Sequence, residues 1–144
     1  SQVDSGRALV TSAFPGAAAN FVQLTRLAVD PGISCEGVGR LQKPGKSPAK
    51  LVFTAIQMAF GDQDPAIRLA YGRLGRALET MKAGYRDTVL MSIYSLNRAV
   101  AEKTYALAVE FHGRADSPAG SIQIVEGLPS LDATVAIEVV AAGP

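Results

Sequence analysis

Ser117-Pro118-Ala119-Gly120-Ser121-Ile122-Gln123-Ile124-Val125-Glu126-Gly127-Leu128-Pro129, followed by Ala133-Thr134-Val135-Ala136-Ile137-Glu138-Val139-Val140-Ala141, is the stretch from which the fold is read. Its β-branched residues fall in two runs. Gly127, Pro129, Ser130 and Asp132 lie between them and are turn formers, so the stretch predicts two strands joined by a turn. The second strand carries one carboxylate, Glu138, in an otherwise apolar run. An unpaired charge there is costly, so Glu138 needs a partner or a chemical task.

Upstream, residues 51–60 are apolar on both sides, as in a central strand covered on two faces, and Gln57 is the one strongly polar side chain. Asp64-Pro65 predicts a helix start, with Asp64 as N-cap and Pro65 in the first turn. Ile67, Tyr71, Leu74, Leu78 and Met81 then form one apolar stripe. Gly72 and Gly75 inside it predict close packing, and Gly84 its end. Residues 88–96 read as a strand, with Val89, Met91 and Ile93 on one side and Thr88, Leu90, Ser92 and Tyr94 on the other. A second helix places Val100, Thr104, Leu107 and Phe111 on one face and stops at Gly113.

Toward the start, residues 8–14 and 20–29 read as two more strands, and 1–7 as a disordered or processed lead-in. Residues 30–50, rich in glycine and proline, read as a loop. The expected order is therefore ββ-β-α-β-α-β-β. That is an α+β domain over residues 8–144, a mixed β-sheet with two helices on one face. Two helices leave the other face of an apolar sheet uncovered, which predicts a symmetric oligomer.

Composition narrows the function. At 144 residues, 48% hydrophobic and 19% charged, the chain can bury a core and is not disordered. A net charge of +1, with no basic cluster interleaved with aromatics, gives no footprint for nucleic acid. One cysteine, Cys35, allows no intrachain disulfide, and one histidine, His112, makes a first-shell zinc site unexpected. No apolar run is long enough for a membrane helix and no signal peptide is visible, so the cytoplasm is the expected location. The chain begins at Ser1 without a methionine, which predicts processing, a tag or excision from a longer polypeptide.

The closing stretch resembles the RidA/YjgF family, whose members end in a Pro-Ala-Arg-Thr strand, a Leu-Pro turn and an Ile-Glu-x-x-Ala strand. Pro118-Ala119, Leu128-Pro129 and Ile137-Glu138-Val139-Val140-Ala141 match that pattern, while Gly120 stands at the arginine position. The resemblance implies a chorismate-mutase-like fold and homotrimers with a site in each cleft between subunits. It also implies hydrolysis of reactive enamines and imines, in which an arginine binds the substrate carboxylate and a glutamate positions water. Arginine suits a carboxylate because its planar fork makes two parallel hydrogen bonds.

Carried over by position, the resemblance makes Glu138 the catalytic residue. Gln57, Gly120 and Ser121 become ligand-binding positions, with Arg26 as a cation that would restore charge to the cleft. Three departures accompany Gly120. The family's Ser-Gly-Gln reads Ala55-Ile56-Gln57, and its Met-Asn-x-x-Tyr reads Ala101-Glu102-Lys103-Thr104-Tyr105. Its Gly-Pro-Tyr-Ser has no counterpart near Pro15-Gly16 or Phe21.

The expectation is a trimer binding a small metabolite, either a divergent hydrolase of the deaminase type without the arginine or a non-catalytic assembly or ligand-sensing domain, part of a longer protein. The endoribonuclease (L-PSP) activity credited to parts of the family would need a basic patch, and chorismate chemistry rests on fold analogy alone. No cofactor, metal, nucleic acid or membrane partner is expected. Each residue also has a plain structural reading. Glu138 fits an interface hydrogen-bond partner, Gln57 a satisfied core amide, Arg26 a solvated strand residue, and His112 a cation complementing a helix C-terminus. Ser121 and Ser12 have no base near them in sequence, and Cys35 has no activating neighbour beyond Arg40.

Overall fold

The computed structural model describes residues 2–17, 19–23, 50–113 and 117–144. Along the chain run α1 (Gln2–Ala13), β1 (Lys50–Phe53), β2 (Gln57–Ala59), α2 (Asp64–Thr80), β3 (Thr88–Ser95), α3 (Arg98–Leu107), α4 (Val109–His112), β4 (Ala119–Ile124) and β5 (Val135–Gly143). The strands form one mixed sheet in the order β1-β5-β3-β4, with β2 also on β5. β3 and β4 are parallel, as two strands joined by a helical crossover must be, and the other pairs are antiparallel. The α+β reading and its mixed sheet hold.

α2 and α3 cover one face of this sheet. The stripe Ile67, Tyr71, Leu74 and Leu78 is fully buried against Met91, Ile93, Ile137 and Val139. Val100, Thr104 and Leu107 come down from α3 beside it. Tyr71 donates through its hydroxyl to the Thr104 carbonyl at 2.8 Å, tying the two helices together, and burial pushes its pKa up. Gly75 lies under the Tyr85 ring, where an added Cβ would sit 3.0 Å from Cε2. The predicted close packing of the helix holds at Gly75, whereas Gly72 has only the tip of Arg76 within reach.

Several local readings shift. Residues 8–13 are helix and not strand: Phe14 N, just past the helix end, donates to Val10 O at 2.9 Å, and Gly16 turns the chain at φ +88. Ala8, Leu9 and Ala13 are strong helix formers, and the small residues around them only imitated alternation. Of the second expected strand, Gln23 makes an isolated bridge to Gly127, and residues 24–29 lie outside the described residues, as does nearly all of the predicted loop.

The long strand expected over 51–60 is two. Thr54 N and Oγ1 both donate to Val139 O, at 3.1 and 3.3 Å, while Val139 N donates to Thr54 Oγ1 at 2.9 Å. The side chain thus takes over part of the ladder, and Ala55-Ile56 bulge out of it. α2 is capped at Gln63, one residue before the expected Asp64, and ends at Thr80. Lys82, not Gly84, takes the left-handed position at φ +58. A register irregularity between Thr88 and Leu90 turns Thr88 inward and leaves Val89 exposed, reversing their expected sides. Gly113 does stop the last helix, at φ +77.

Candidate functional site

The pairing register decides which side chains can meet. Ser121 on β4 lies opposite Ser92 on β3, which lies opposite Glu138 on β5. Directly paired residues share a face, so these three form one row on the face away from α2 and α3. The next row is Gln123, Tyr94, Ala136 and Met58. Glu138 is half-buried there and both its oxygens are held. Tyr94 OH donates to Oε1 at 2.7 Å, and Asn20 Nδ2 donates to Oε2. Asn20 Oδ1 in turn accepts from Ile56 N at 3.3 Å, so the bulge after β1 orients the amide that orients the carboxylate.

Beside Asn20 opens a cavity of about 360 Å³. Arg7 and Thr11 of α1 form one wall, Phe21 and the small residues before it another, and Ala55, Ile56, Met58 and Pro129 the floor. Arg7 Cζ lies 5.4 Å from the centroid of the Phe21 ring, within cation–π range.

No family profile and no curated protein matches the sequence. Solved structures do. A Mycobacterium tuberculosis member of the YjgF/YER057c/UK114 family superimposes with a TM-score of 0.58 at 27% identity, over 64% of this chain and 78% of that one. The chain has the fold of the YjgF/RidA family. The yeast protein YEO7 aligns with a TM-score of 0.60 at 16% identity, over 70% of this chain and 91% of its own. A YjgF-family protein from Neisseria meningitidis aligns at 0.58 and 14%, over 65% and 80%. The resemblance carried by Pro118-Ala119, Leu128-Pro129 and Ile137 to Ala141 extends to the architecture.

The YjgF/RidA-like sheet brings together only some of the residues singled out in the sequence. Ser121 shares the row of Glu138, about 10 Å away by two strand spacings. Gln57 pairs with Ile137, whose side chain is in the core, so it belongs to the helix side and not to the face of Glu138. Gly120 pairs with Met91 and is likewise on the helix side, where an added Cβ would meet Tyr105 Cε2 at 2.6 Å. Arg26 lies outside the described residues, as do Cys35 and Arg40.

Asn20, Tyr94 and Arg7 are the functional candidates that reading the sequence missed. Tyr94 had a signal, its place on the polar side of a strand beside Ser92. Asn20 and Arg7 had none, because their segment was read as strand or lead-in.

His112 also differs from expectation. It ends α4 but is 2% exposed, with Nδ1 3.1 Å from the Tyr85 carbonyl and Nε2 without a partner among the described residues. The carbonyl requires the proton on Nδ1, and burial pulls the ring's pKa down. His112 is therefore a neutral core residue, not a cation serving the helix dipole. Its neighbour Tyr85 has its phenol pushed up to about 12 by burial. Among the described residues, no group of three or more His, Cys, Asp or Glu is placed to hold a metal ion, and no helix is long and apolar enough to cross a membrane.

Proposed function

We propose that the chain assembles as a trimer whose inter-subunit clefts bind a small metabolite, and that Glu138 carries a divergent imine-hydrolase activity there. The observation that carries this reading is the Tyr94–Glu138–Asn20 constellation on the outer sheet face. A carboxylate oxygen that accepts one hydrogen bond retains a second lone pair, so Glu138 can still accept from a water while its two partners fix its orientation. Glu138 takes a proton from that water as the water oxygen bonds to the imine carbon and the C=N electron pair moves to nitrogen, and it returns that proton to the nitrogen to give a carbinolamine. The hydroxyl then passes its proton by way of Glu138 to the nitrogen as the C–N bond breaks and C=O forms, so ammonia leaves and a carbonyl compound remains. Assembly is supported by the same face: Leu51, Phe53 and Leu90 lie along it exposed at 53%, 40% and 38%.

The test generates imines with an amino-acid oxidase and traps the survivors with semicarbazide. Wild-type protein, which light scattering should size at three chains, is expected to speed imine loss. Glu138→Gln should lower that rate by about 100-fold or more. A monomer at micromolar concentration sinks the trimer. No acceleration by wild type over several imines sinks the hydrolase and leaves the non-catalytic ligand-sensing reading, which Gly120 beneath Tyr105 favours.

A further inference from the structure

We infer that Arg7 of α1 is the anion anchor of the cavity beside Asn20, and that its ligand is a small monocarboxylate with a short apolar body. This rests on the metabolite-binding reading above but assigns the charge to a residue and an element that reading does not use. Gly120, at the position where the fold's relatives were expected to supply a cation, has no side chain and is covered by Tyr105 on the opposite sheet face.

Among the described residues that line the cavity, Arg7 is the one charged side chain. The Phe21 ring, 5.4 Å from Arg7 Cζ, offers its face to the guanidinium and leaves the N–H edges for a planar anion. Thr11 adds a hydroxyl on the next turn of the same helix. Asn20 is the bridge. It lines the cavity while its amide holds Glu138 and the Ile56 backbone, so a ligand seated against Asn20 is coupled to the carboxylate behind it. Ile56, Met58 and Pro129 form an apolar floor. One guanidinium balances one negative charge, and a floor with no further donor side chain disfavours a second anionic group. The volume, about 360 Å³, is at the small end of ligand sites.

Calorimetric titration with 2-oxobutanoate and its uncharged counterpart 2-oxobutanamide tests this on the full chain. Wild type should bind the acid at least tenfold more tightly than the amide. Arg7→Ala should lose about tenfold or more of that affinity and leave amide binding unchanged. Arg7→Lys, which keeps charge but not the fork, should recover only part of it. Arg7 is exposed on α1, and circular dichroism of both variants checks that the helix persists. Equal binding of the acid by wild type and Arg7→Ala, or no binding by wild type, overturns the anchor. The two proposals separate cleanly. Hydrolysis that needs Glu138 but ignores Arg7 sinks the anchor alone, and Arg7-dependent binding without any imine hydrolysis sinks the hydrolase alone.

Discussion

Gly120 shows how one residue's meaning changes between sequence and structure. In sequence it marks a missing arginine; in the fold it is a glycine because the Tyr105 ring occupies the place of its side chain. Gly120→Ala is expected to destabilise by roughly 1 kcal/mol, the lower end of overpacking costs. Tyr105 is 43% exposed and can swing outward, which keeps the cost low. Chemical denaturation of the two proteins measures the difference, and unchanged stability would mean that the ring does not pack there. Glu138 was the most legible residue of the site, since a lone carboxylate in an apolar strand demands a partner. Its partners, Tyr94 at 44 residues' separation and Asn20 at 118, were not legible, because only strand register and a bulge bring them to it.

At the scale of elements, the break between β1 and β2 does the positioning. A continuous apolar run predicted one strand, and a single hydroxyl splits it: Thr54, 4% exposed, exchanges hydrogen bonds with both backbone groups of Val139. The resulting bulge aims Ile56 N at Asn20 and sets the cavity floor. Thr54→Val keeps the shape and removes the acceptor from Val139 N. We expect a loss of about 1–3 kcal/mol, the cost of a buried donor left unpaired, together with weakened ligand binding at the cavity. Denaturant midpoints and the calorimetric titration read the two effects. An isostere that is neutral in both would show that the bulge is held by the backbone alone. The helices were legible because their apolar stripes repeat, over more than four turns in α2 and nearly three in α3, whereas their ends depended on single backbone positions such as Lys82.

At the scale of the whole molecule, the buried imidazole makes stability depend on pH. His112 is held neutral by burial, so its folded pKa lies below the unfolded value of about 6.5. The unfolded chain therefore takes up the proton first as pH falls. The stabilisation is fully present above about pH 6.5 and is lost progressively as pH drops through the depressed folded pKa. Urea midpoints between pH 7.5 and 5 should fall more steeply for wild type than for His112→Gln. Parallel curves would show that the ring gains its proton as readily in the fold as out of it. Its partner among the described residues is Tyr85, through the backbone carbonyl and an edge-on ring contact, and neither brings a carboxylate to it. The exposed apolar row on the outer sheet face belongs to this scale too, because α2 and α3 both pack on the opposite face.

The amino-acid sequence by itself determined the two central helices, the three long strands, the α+β class and the YjgF/RidA resemblance, because periodic burial and turn residues are written locally. It also singled out Glu138. Only the tertiary structure decided that α1 is a helix, that Gly120 and Gln57 sit on the face opposite Glu138, and that Asn20, Tyr94 and Arg7 gather near it. The physical reason is register: a strand's pattern says which residues share a face, but only pairing with a distant strand says which face is which and what stands opposite.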